Sequence, residues 1–188
     1  MGWNDVGPER RVFDGDRFAE LVLYVAQKYQ YDPSFGAVRM AKALFYCDFT
    51  AYKFLGRPLT GATYQRLPLG PAPREYKPVE GALVAAGAAV VQSTTYYGHE
   101  QKRLVALRAS RVADLFGSAE VQLIDQVLED MRGMSAVYVS DLSHEHVGWI
   151  VARPNEDIPY DAVWIADDMS AGSQSFAESI VRELGRAV

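Results

Sequence analysis

Apolar residues recur at helical spacing in DGDRFAELVLYVAQKYQ, where Phe18, Leu21, Val22 and Val25 fall on one face behind Asp14 and Asp16. That pattern predicts an amphipathic helix with an aspartate cap, closed off by Pro33. The next stretch, FGAVRMAKALFYCDFTAYKFLG, sets Val38, Ala41, Leu44, Phe45, Phe49 and Tyr52 on a broad stripe and ends at Gly56. A stripe this wide predicts a long central helix with a glycine stop. SAEVQLIDQVLEDMRG repeats the pattern with Val121, Ile124, Leu128 and Met131 and stops at Gly133. A further helix is predicted from about Ser135, and a final amphipathic helix over 174–186.

Between these helices the period changes. RPLTGATYQRLPLGPAPREY carries Pro58, Pro68, Pro71 and Pro73 among Gly61 and Gly70, which predicts an ordered but irregular loop. PVEGALVAAG reads as a short helix. AAVVQSTTYYG and QKRLVALRA then read as two strands joined by a turn around Gly98 and His99, an antiparallel hairpin. There is no internal repeat and no linker, so residues 1–188 are expected to form one α+β domain, mostly helical, with a small antiparallel β-hairpin.

Composition narrows the function classes. A net charge of -5 disfavours a nucleic-acid partner, because phosphate binding needs clustered Lys and Arg. The lone cysteine, Cys47, excludes an internal disulfide framework and fits a reducing compartment. The absence of a leader-like apolar run at MGWNDVGPERR and of a long apolar segment predicts a cytoplasmic chain with no membrane partner.

The densest chemistry lies in DLSHEHVGW, residues 141–149, which holds two of the three histidines. On a helix His144 and His146 point to nearly opposite faces and cannot share a metal. A hydrolase reading would pair His144 with Ser140, or use Cys47 as nucleophile. Three side chains on one helical face seldom reach the two ring nitrogens as a triad requires, and Asp48 beside Cys47 raises a thiol's pKa. The alternative gives His144 a structural hydrogen bond at a helix end and lets Trp149 fill a pocket. Eleven tyrosines, among them Tyr46, Tyr52, Tyr64, Tyr76, Tyr96 and Tyr97, fall near the long helix, the Pro-rich loop and the hairpin. Tyrosine suits protein interfaces, and it equally suits a core edge.

Taken in order, LFYCDFTAYKFLGRPLTGATYQRLPLGPAP, DLSHEHVGW and IPYDAV resemble the Panacea domain, the SocA-like antitoxin family of bacterial and phage toxin–antitoxin pairs. The likeness spans about residues 38 to 163. It implies a compact helical domain with a small sheet that neutralises a cognate protein toxin by binding it, with no cofactor and no catalytic residues. Homo-oligomerisation stays open. Carried over residue by residue, Tyr46, Thr60, Gly61, Tyr64, Gly70, Pro71, Ser143, His144 and Trp149 become partner-binding or structural motif positions. A small cytoplasmic hydrolase and a phage- or transcription-associated adaptor are the rival readings.

Overall fold

The computed structural model describes residues 12–96 and 98–164, so the predicted helix over 174–186 and Tyr97 lie outside the described residues. Helix α1, Gly15–Lys28, starts where expected: Asp14 is extended, and its carboxylate accepts the Arg17 amide at 3.0 Å. Phe18, Leu21, Val22 and Val25 are all fully buried. Helix α2, Ala37–Leu55, ends on Gly56, whose φ of 75° is the left-handed cap that glycine adopts without strain. Its buried residues run almost all round its circumference, from Met40 and Ala43 to Phe45, Cys47 and Phe49. A helix covered on every side is the axis of the fold, and α2 also takes Arg39, Lys42 and Asp48 into the interior.

The Pro-rich stretch departs from the expected irregular loop. It forms a hairpin of β1, Tyr64–Leu67, and β2, Gly70–Pro73, in the register Tyr64↔Pro73 and Arg66↔Pro71. The Arg74 amide donates to the Thr63 carbonyl at 2.9 Å. Ladder bonds alternate along an antiparallel pair, so Pro73 and Pro71 fall at non-bonded positions, where a missing N–H costs nothing. The outer edge of β1 is also paired. The Ile158 amide donates to Tyr64, the Arg66 amide to Glu156 and the Asn155 amide to Arg66, at 2.7, 2.9 and 2.9 Å. A chain segment 90 residues downstream thus completes what the local sequence left open.

Helix α3, Tyr76–Ala85, precedes the second hairpin, β3 Ala89–Tyr96 and β4 His99–Ala106, which pairs antiparallel as predicted. The two hairpins belong to separate two-stranded sheets. A short α4, Val112–Leu115, leads into α5, Ser118–Asp130, where the Glu120 carboxylate reaches back to the Gly117 amide at 2.9 Å. The single helix expected to carry DLSHEHVGW is instead two: α6, Ala136–His144, and α7, Val147–Val151. The break arises because the His146 ring nitrogen Nδ1 accepts the Gly148 amide at 3.1 Å, making a histidine the cap of α7. A 3₁₀ turn, Tyr160–Trp164, closes the described chain. The described residues form an α+β domain, mostly helical, with two small antiparallel sheets. Among the described residues no helix is long and apolar enough to cross a membrane.

Candidate functional site

Two clusters gather the motif residues, and both grip the segment between α2 and α3. The first is built on Asp48. Its Oδ1 accepts the Thr60 amide at 2.8 Å, and its Oδ2 accepts the Thr60 hydroxyl at 2.6 Å and the Tyr64 hydroxyl at 2.8 Å. Asp48 and Tyr64 are wholly buried and Thr60 nearly so. Burial raises the Asp48 carboxyl above the usual carboxylate range, opposed by the hydrogen bonds from Thr60 and Tyr64. Gly61 follows with φ +70°, and a Cβ there would stand 2.8 Å from the Val12 carbonyl oxygen. Phe45 and Phe49 meet the Tyr64 ring edge-on at 5.5 Å, and Tyr160 stacks on Phe49 at 4.6 Å while donating its hydroxyl to the Ala62 carbonyl at 2.7 Å. The IPYDAV stretch therefore serves as the lid of this cluster.

The second cluster holds the β1–β2 turn by its carbonyls. Trp149 Nε1 donates to Leu67 at 3.1 Å, the Ser140 hydroxyl to Leu69 at 2.9 Å, and Lys42 Nζ to Pro71 at 2.9 Å. Three anchor points, drawn from α2, α6 and α7, thus fix one tight turn. Gly70, at φ +95°, is the residue that lets them approach: a Cβ would lie 2.2 Å from Ser143 Oγ and 2.8 Å from Lys42 Nζ. Ser143 turns its own hydroxyl back to the Ser140 carbonyl at 2.7 Å. The His144 ring stacks on the Trp149 indole at 4.1 Å, and the Arg66 guanidinium covers that indole at 4.2 Å.

These contacts bear on the hydrolase geometry. The Ser140 and Ser143 hydroxyls both donate to backbone carbonyls, so neither is aimed at an imidazole. His144 Nε2 is buried without a hydrogen bond, and burial, with the nearby Lys42 charge, lowers this imidazole's pKa. Cys47 is fully buried, and burial, then Asp48, pushes its thiol up, away from the reactive thiolate. His146 packs edge-on against Phe45 and Phe49 at 5.1 and 5.2 Å, and burial brings it down to about 4. Among the described residues no group of three or more His, Cys, Asp or Glu could hold a metal ion.

Of the sequence-predicted positions, Thr60, Gly61 and Tyr64 come together on Asp48, and Gly70, Pro71, Ser143, His144 and Trp149 come together at the turn. Tyr46 joins neither; it sits half-buried against Phe45 at 5.3 Å, with its phenol pushed up by burial and then by the Glu145 charge. Of the tyrosines weighed for an interface or a core edge, Tyr64 and Tyr76 are core residues. Sequence reasoning missed the two residues on which the clusters rest, Asp48 and Lys42. A signal was present: Lys42 lies four residues after Val38 and three before Phe45, and Asp48 three after Phe45 and four before Tyr52, so both charges interrupt the apolar stripe of α2. Lys42 is 1% exposed, and burial alone brings its ammonium down to about 7.

Comparison with known proteins agrees with this assembly of motifs. The family model described as antitoxin SocA-like, Panacea domain matches residues 40–150, a span that takes in both clusters apart from the Tyr160 lid. No curated protein and no solved structure matches the chain. With more than half its length matched, and with the motif residues converging on one loop, the chain belongs to the antitoxin SocA-like Panacea domain family.

Proposed function

We propose that this protein is a cytoplasmic antitoxin that neutralises a cognate protein toxin by direct binding, and that the β1–β2 turn with the outer face of α6 forms the contact surface. The carrying observation is the turn itself. Its Leu67, Leu69 and Pro71 carbonyls are each held by a side chain from another element, while the Leu69 side chain stands 59% exposed at its tip. A turn fixed before binding loses little conformational entropy when a partner seats on it. Val137, one helical turn before the Ser140 that holds Leu69, is 71% exposed, and neighbouring Tyr138 is 54% exposed. An aliphatic and aromatic group of this kind is the usual composition of an interface centre.

In this proposal Thr60, Gly61, Tyr64, Gly70, Pro71, Ser143, His144 and Trp149 shape the docking body, Tyr46 packs behind it, and none of them makes or breaks a substrate bond. The test is co-expression with the product of the neighbouring gene. Relief of growth arrest and co-purification of the two chains are expected, and both should be lost in the Leu69→Asp/Val137→Asp double variant, whose far-UV circular dichroism and melting temperature stay close to the parent's. Unrelieved arrest with no co-purifying protein would refute toxin neutralisation. Retention of binding by the double variant would move the contact surface elsewhere.

A further inference from the structure

Against the first hairpin lies a cavity of about 270 Å³, lined by the N-terminal half of α2, by β1 and β2, and by the start of α3. Its walls are apolar, with Val38, Ala41, Leu67 and Pro73 among them. Its charged lining residues are Lys42, Arg74 and Lys77, with no carboxylate, in a chain whose net charge is -5. Two of those cations are already neutralised: Arg74 pairs with Asp157 at 2.7 Å and Lys77 with Glu80 at 2.6 Å. Lys42 is different. Among the described residues its one hydrogen bond goes to the neutral Pro71 carbonyl, although an ammonium carries three donors. No carboxylate offsets its burial. An ammonium taken out of water without a counter-charge is costly to the folded state. A carboxylate entering the cavity would bring both the opposite charge and the missing acceptors.

We propose that this cavity is a binding site for a small apolar carboxylate, with its hydrocarbon body against Val38, Ala41, Leu67 and Pro73 and its head group against the Lys42 ammonium. The volume falls just below the range of about 300–1,000 Å³ that ligand pockets span, which suits a short alkyl acid and is too small for a nucleotide. The site shares Leu69 with the proposed toxin contact, but its occupant is a free small molecule, so its binding is measured with no toxin present.

Titration calorimetry of the full chain with hexanoate, at slightly acidic pH where the ammonium is populated, tests the site. Saturable binding is expected, with 1-hexanol weaker by about tenfold or more because it offers the same chain without the charge. Lys42→Met, close in volume and uncharged, is expected to lose about tenfold or more in affinity for hexanoate. Ala41→Leu fills the cavity while leaving the ammonium in place, so it should abolish binding and carries the test should Lys42→Met fail to fold. No saturable heat with hexanoate, or equal affinity in either folded variant, would overturn the proposal. Neither result bears on co-purification with a toxin.

Discussion

The two clusters hold the same segment by opposite means. At Asp48 one acceptor side chain collects three donors from Thr60 and Tyr64 in a fully buried place. At the β1–β2 turn the direction is reversed and the load is spread: separate side chains each donate to a different backbone carbonyl, those of Ser140 and Trp149 in part-buried places and that of Lys42 in a buried one. A buried donor that loses its acceptor keeps the full desolvation cost, whereas a carbonyl near the surface can turn to water. The first arrangement concentrates stability in one residue. The second distributes it and sets the shape of what is exposed.

Asp48→Ala should therefore be the most damaging single change. It strands three buried donors, and unfolding in urea should show a loss of about 3–5 kcal/mol. Thr60→Val and Tyr64→Phe should be strongly non-additive with it, because all three act through one carboxylate. A loss no greater than that of Ser140→Ala would erase the contrast between the clusters.

Gly70→Ala comes next. The added methyl meets Ser143 Oγ and Lys42 Nζ, at a backbone conformation that disfavours a side chain. Strain and overpacking together should cost about 2–4 kcal/mol. Crystals of that variant should show the turn displaced from Ser140 and Lys42, and an unmoved turn would mean that the anchors do not set its position.

A smaller effect concerns pH. Burial holds His146 down to about 4 from an unfolded value of 6.5, so between those two pH values the unfolded chain binds a proton that the folded chain refuses. Stability from this group is complete above 6.5 and falls as pH drops toward 4, by about 1–3 kcal/mol. His146→Asn keeps an acceptor for the Gly148 amide but does not titrate, so urea midpoints measured across this window should fall less steeply in the variant. Equal slopes would remove His146 as the cause.

Ser140→Ala should be the mildest, costing about 1 kcal/mol for one hydrogen bond to a carbonyl beside an exposed Leu69. Combined with Trp149→Phe, which removes the donor to Leu67 and keeps an aromatic face, the losses should be close to additive. Strong coupling there would make the turn a single unit like the Asp48 cluster.

Much of the scaffold could be read from local pattern, as the aspartate cap at Asp14, the glycine stop at Gly56 and the β3–β4 hairpin illustrate. Each depends on residues a few positions apart, and cap and turn chemistry acts at that range. The first hairpin was hidden by its prolines, because only the pairing register shows that Pro71 and Pro73 occupy positions with no ladder bond to lose. The split between α6 and α7 was hidden because a histidine took the capping place that Ser, Thr, Asp or Asn usually fills.

By itself, then, the sequence determined where the long helices run, which faces they bury, and the ordered set of motifs that marks the family, since periodicity and residue order are properties of the chain alone. Tertiary structure decided that Thr60 and Tyr64 would share Asp48, and that Lys42, Ser140 and Trp149 would meet carbonyls dozens of residues away. A buried charge within an apolar stripe looks the same in one dimension whether its partner lies above, below or nowhere. Only packing brings a partner within hydrogen-bond reach, and the cost of burying a polar group unpaired makes that packing specific.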